Sequence, residues 1–140
     1  MAAAVGLGEY KKVQVVTSDQ SRLVVMLYEA AIRHLEMAKD CLRKGDWIGK
    51  GEHILRAQDI LMELLGALDL EAGPIAKNLN SLYLFMYRHL NEANLHKSER
   101  HVDQVLRILS TLCEAWKEAA SKITREGVPE AEVGQATIVA

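Results

Sequence analysis

Five histidines, two cysteines and nineteen carboxylates are the groups in this 140-residue chain that could bind a metal or turn over a substrate. A di-iron site in a helical bundle needs a Glu-x-x-His pair on each of two helices, so that carboxylate and imidazole share one inward face. No glutamate here has a histidine three residues on, and His34, His53, His89, His96 and His101 contain no i, i+4 pair. The spacing therefore argues against a helical metal site. A phosphotransfer histidine needs an exposed helical position beside a lysine and a glycine. His34 has only Lys39, five residues on, and His89 is followed by Leu90-Asn91-Glu92, so neither has those surroundings. Cys41 and Cys113 carry no motif and each continues an apolar helical stripe, which makes them small core residues. With no glycine-rich phosphate loop and no Gly-x-Ser-x-Gly, the expectation is a protein that is not an enzyme and holds no cofactor and no metal.

Charge and hydropathy narrow the partners. The formal charge is -2, and neither lysine nor arginine gathers into a run, so nucleic acid and anionic lipid have nothing to grip. No apolar run is long enough to span a membrane, and Met1 to Leu7 lacks the basic start and long apolar centre of a secretory signal. These features predict a cytosolic protein with no membrane insertion.

What remains is apolar surface in excess. Between Gln20 and Ile32 nine of thirteen residues are apolar, and Leu82 to Tyr87 is an unbroken apolar run of six. A helix that buries one face needs only about three apolar positions in seven. Either these helices are covered on two sides or one side awaits a partner.

The elements that must carry this surface are four helices. Residues 1–8 are small and flexible in composition and predict disorder, and 9–17 predicts an extended segment that must lie against the rest of the chain. Ser18 and Asp19 are N-caps for helix one, whose stripe is Leu23, Leu27, Ala30/Ala31, His34/Leu35, Ala38 and Cys41/Leu42, closed by Gly45. Asp46 caps helix two, with Ile48, Gly51, Ile54/Leu55, Gln58, Leu61/Met62, Leu65 and Leu68. Gly73-Pro74 then stops one helix and starts the next. Helix three carries Ile75, Leu79, Leu82/Tyr83, Met86, Leu90 and Ala93, and Ser98 caps helix four, which runs to Ile123. Short links force neighbouring helices antiparallel. The fold class is all-α: an up-down-up-down four-helix bundle over 18–123 with an N-terminal capping segment, and 124–140 as a disordered tail.

The residues also resemble the FliS family of flagellar export chaperones for flagellin. The match starts at Tyr10 and Val13-Gln14, runs through Leu23-x-x-Met26-Leu27-Tyr28-x-x-Ala31-Ile32, and passes Gly45-Asp46 to Ala57-Gln58-Asp59-Ile60-Leu61. It is densest in Ile75-Ala76-x-Asn78-Leu79-x-x-Leu82-Tyr83, Met86 and Leu90-x-x-Ala93-Asn94, and ends on Glu114-Ala115-Trp116. The family often has proline near Gln20, Asp-Gly where Glu29-Ala30 stands, and Gly-Gly near Ala72-Gly73. The resemblance implies a chaperone that binds the disordered C-terminal region of flagellin, prevents early polymerisation and delivers it to the export gate, with other flagellar regulators as further partners. The alternative is a regulatory bundle that binds an amphipathic helix of some other protein. The expected site is a groove formed by Val25, Tyr28, Ile32, Leu84 and Tyr87, all off the core stripes, with Tyr10 of the capping segment over it. On that expectation a charged residue at position 28 weakens flagellin binding and spares the bundle.

Overall fold

The structure, a computed structural model, describes residues 20–126, with side chains to Lys122. Within that range lie α1 (Ser21–Lys44), α2 (Trp47–Gly66), a short 3-10 turn (Leu70–Ala72), α3 (Pro74–His96) and α4 (Glu99–Glu126). Residues 1–19, including Tyr10, the expected caps Ser18 and Asp19 and the 9–17 segment, lie outside it, as do residues 127–140.

The helix ends follow from local chemistry. Gly45 takes the left-handed conformation at φ 75°, and the amide of Asp46 donates to the Cys41 carbonyl at 2.9 Å, closing α1 in a Schellman turn. The Asp46 carboxylate then accepts from the Gly49 amide at 2.9 Å and starts α2. Proline opens α3 at its first turn, where a missing N–H costs nothing. At the other end Lys97 adopts φ 53°, and the Ser98 amide bonds the Ala93 carbonyl at 3.0 Å in the same six-to-one pattern as at Gly45. Ser98 Oγ accepts from the His101 amide at 3.2 Å and caps α4. Helix α2 ends at Gly66, short of the expected Leu68, because Asp69 accepts from the Glu71 amide and begins the 3-10 turn. Helix α4 runs three residues past the expected Ile123.

Cross-helix pairs fix the topology. Between α1 and α4, Glu29 meets Lys117, Lys39 meets Asp103 and Arg43 meets Glu99, one number rising as the other falls. Cys41 lies by Asp46 and His34 by His53, so α1 and α2 are antiparallel. Lys50 meets Asn94 and Gln58 meets Tyr87 and Asn91, so α2 and α3 are too, and His89 bonds Gln104 to join α3 with α4. The order around the bundle is therefore α1, α2, α3, α4.

The core repeats every three or four residues: Val24, Tyr28, Ala31, Leu35, Ala38 on α1; Lys50, Ile54, Ala57, Leu61, Leu64 on α2; Val102, Leu106, Leu109, Cys113, Trp116 on α4. This four-three alternation is the heptad seam of coiled-coil-like bundles. It corrects the stripe expected for α1. Leu23 is 54% exposed and Leu27 only half-buried, while Tyr28 is 2% exposed. With nine of thirteen residues apolar the local pattern has no phase; Leu35 and Ala38 set it, and counting back by four and three from them reaches Ala31, Tyr28 and Val24. The hydroxyls of Tyr28 and Tyr83 share a hydrogen bond inside this core, and burial raises both phenol pKa values, that of Tyr83 to about 12.

Candidate functional site

The expected groove is not brought together. Tyr28 belongs to the core, where its hydroxyl has a partner and its ring is covered, so a charge there would be buried. Val25 and Ile32, one heptad apart, lie half-buried on the side of α1 toward α4: Ile32 lines a 390 Å³ cleft with Glu29, Cys113 and Lys117. Leu84 and Tyr87 are half-buried on the opposite side of the bundle. The Gln58 side chain of α2 donates to the Tyr87 carbonyl at 3.1 Å and to Asn91 Oδ1 at 2.7 Å, which places the 84, 87, 91 face of α3 along α2.

That α2–α3 seam is where the surplus collects. Ile48, Leu55 and Met62 were expected in the α2 core; they are instead exposed, Ile48 to 78% and Leu55 to 55%. Their spacing of seven residues keeps them on one line over about 21 Å of helix. The signal that could have found them is their offset by one residue from the core positions 54 and 61, which a heptad count from Ala57 and Leu64 reveals. On α3 the facing line is Leu84, Tyr87, Asn91 and Leu95, the last 72% exposed.

Beneath this apolar cover the seam is polar. The Lys50 ammonium, buried, donates to the Asn94 carbonyl at 3.1 Å and to the Asn94 side chain. It answers one of the last carbonyls of α3 at the negative end of that helix. Burial, and then the nearby charge of Lys97, hold its pKa below the ordinary lysine value. Lys97 in turn sits 4.4 Å above the Trp47 ring. Gln58 repeats the clasp two turns along. Two hydrogen-bonded side chains thus hold the helices in register while leaving the apolar line on top free to take a ligand's side chains.

The chemistry looked for elsewhere has no geometry. No group of three histidine, cysteine or acidic side chains among the described residues could hold a metal ion. The Cys41 thiol is half-buried, not core, and burial together with Asp46 raises its pKa; burial does the same at Cys113, away from the thiolate a nucleophile needs. No helix among the described residues is long and apolar enough to cross a membrane.

Comparison with known proteins identifies the family. The family model for the flagellar protein FliS matches residues 2–123. The flagellar secretion chaperone FliS of Salmonella typhimurium is 37% identical over 128 residues, covering 87% of this chain and 95% of the relative. The same-named protein of Vibrio cholerae is 33% identical, with 91% and 96% covered, and that of Bacillus subtilis 26% identical, with 79% and 82% covered. With a family model over residues 2–123 and relatives that align over 79% to 91% of its length, the chain belongs to the FliS family of flagellar secretion chaperones.

Proposed function

We propose that this chain is a cytosolic chaperone that binds the disordered C-terminal region of flagellin, keeps it from polymerising, and hands it to the flagellar export gate. It acts by binding alone. The observation that carries this reading is the exposed line Ile48, Leu55, Met62 facing Leu84, Tyr87 and Leu95 on a chain of the secretion-chaperone family. An amphipathic segment with apolar residues every three or four positions fits such a groove, and about 14 residues of helix span it. Ordering a disordered ligand consumes part of the contact energy, so a long, shallow contact gives binding that can still be released to the export machinery.

Titration of the full chain with a C-terminal flagellin fragment tests the function. Leu55→Glu and Met62→Glu should each weaken binding at least tenfold without unfolding the bundle, and a fragment that does not bind the unaltered chain would overturn the function itself. For the segment at 9–17, Tyr10 is assigned to the ligand site, so Tyr10→Ala should weaken binding. Tighter binding would show instead that Tyr10 competes with flagellin.

A further inference from the structure

Two histidines on different helices approach each other nitrogen to nitrogen. His34 of α1 and His53 of α2 stand 19 residues apart in sequence, and their Nδ1 atoms lie 3.1 Å apart. A search for i, i+4 histidines scans one helix at a time and passes over a pair that crosses two. Both rings are half-buried, so each keeps a side open to solvent, and among the described residues neither makes another hydrogen bond. The other close pair is committed differently: His89 gives Nε2 to Gln104, and His101 holds Nδ1 against Ser98.

One of the two Nδ1 atoms of His34 and His53 carries the proton that joins the rings, since two lone pairs at that distance repel. A metal ion can take the place of that proton. The donor ring passes it from Nδ1 to its own Nε2 through water, each neutral imidazole then offers an Nδ1 lone pair, and no net proton leaves. Metal–nitrogen bonds of about 2.05 Å to nitrogens 3.1 Å apart subtend about 98° at the ion, between the square-planar and tetrahedral angles. The ring centroids, 5.3 Å apart in the hydrogen-bonded pair, close to about 4.8 Å in that arrangement, which a small turn about the soft χ2 of each histidine supplies.

The surrounding charge is compatible with a cation. Arg33 and Arg56 lie near the His34 imidazole, but Glu29 and Glu36 flank the first, and Glu52 and Asp59 the second, at three or four residues. Even with Glu29 paired to Lys117, the remaining acids outnumber the two arginines.

We propose that His34 and His53 form a two-imidazole site for a divalent transition metal of the zinc, nickel or copper class, with water in its remaining positions. Imidazole nitrogen suits these ions, whereas magnesium and calcium take oxygen ligands. The ion ties the middle of α1 to α2 and holds together two residues that the unfolded chain keeps apart, so it stabilises the folded bundle. Metal binding here is independent of the flagellin groove, which lies along the α2–α3 seam.

The test uses the full chain, without a polyhistidine tag and stripped of metal by a chelator. Calorimetric titration with zinc chloride should show one ion per chain, and magnesium chloride should give no binding heat. His34→Gln and His53→Gln should each weaken zinc binding at least tenfold, while the double variant His89→Gln, His101→Gln should bind zinc as the unaltered chain does. Copper(II) at one equivalent should show two nitrogen ligands in its electron paramagnetic resonance spectrum, a reading that needs no substitution. Zinc should also raise the thermal midpoint of the unaltered chain and leave that of His53→Gln unmoved. No zinc binding at millimolar concentration, an affinity that survives both single variants or disappears in the double one, or a single-nitrogen copper spectrum overturns the proposal. So does a doubling of sedimenting mass on adding zinc, which would place the ion between two copies.

Discussion

Helices α2 and α4 give the core the same four-three seam, yet their outer faces share nothing. Among the described residues no large apolar side chain of α4 is exposed; outside its seam it shows Arg107, Ser110, Thr111, Glu114 and Lys117 to water. Helix α2 exposes Trp47, Ile48, Leu55 and Met62. One seam is enough to hold a helix in the bundle, as α4 demonstrates. The second apolar line of α2 therefore answers to something other than folding, and the two lines should separate by mutation.

The largest effect is expected at the core position nearest to being mistaken for surface. Tyr28→Glu should cost at least about 3 kcal/mol, since it strands a charge in the bundle and leaves the Tyr83 hydroxyl alone. Urea titration followed by circular dichroism checks this, and retained stability would return Tyr28 to the binding face. Leu109→Ala on α4 should cost about 2 to 5 kcal/mol through the cavity it leaves. Leu55→Ala should stay within about 0.5 kcal/mol in the same titration while lowering flagellin affinity. If the two leucines cost the same in stability, the division into core line and ligand line fails.

Smaller effects probe the joints. Gly45→Ala forces a Cβ into the left-handed region and should cost about 1 to 2 kcal/mol. Lys97→Gly relieves the same strain but loses the Trp47 contact, worth about 0.5 to 1 kcal/mol at an exposed site, so its net change should be near zero. Thermal melts of the two variants side by side distinguish them. The smallest effect is in pH. Burial and neighbouring positive groups lower the pKa of His34 and His101 below the ordinary histidine value. The folded chain then binds fewer protons than the unfolded one, so stability is full above the unfolded histidine pKa and falls as pH drops below it toward the folded values. The urea midpoint should decline below about pH 6.5, and a double His34→Gln, His101→Gln variant should flatten that decline.

The four helices were legible because their ends are local events: Gly45, Asp46, Pro74 and Ser98 each act on backbone groups within a few residues. The phase of the seams was not, because it depends on partners distant in sequence. Gln20 to Ile32 satisfies a core stripe in several rotations, and only the packing of Leu35 and Ala38 selects the one that buries Tyr28. For the same reason Val25 and Ile32 were grouped with Leu84 and Tyr87, although the ring order of the helices sets the pairs on opposite flanks. Apolar surplus can be counted in a sequence, but the side of the bundle on which it emerges is a property of the assembled helices.

The ion pairs joining α1 to α4 bear on how the chain comes to be folded during synthesis. The other seams around the ring join helices that are neighbours in sequence, whereas Arg43 and Glu99 are 56 residues apart. Helix α1 is made before α4, so the bundle closes only once α4 has been made, and closing so long a loop is entropically costly. Until then the Val24 to Ala38 seam stands open on the α4 side, as exposed as the Ile48, Leu55, Met62 line of α2. A member of a secretion-chaperone family thus passes through a period in which its own apolar seams lie uncovered, and docking of the Val102 to Trp116 seam of α4 ends it.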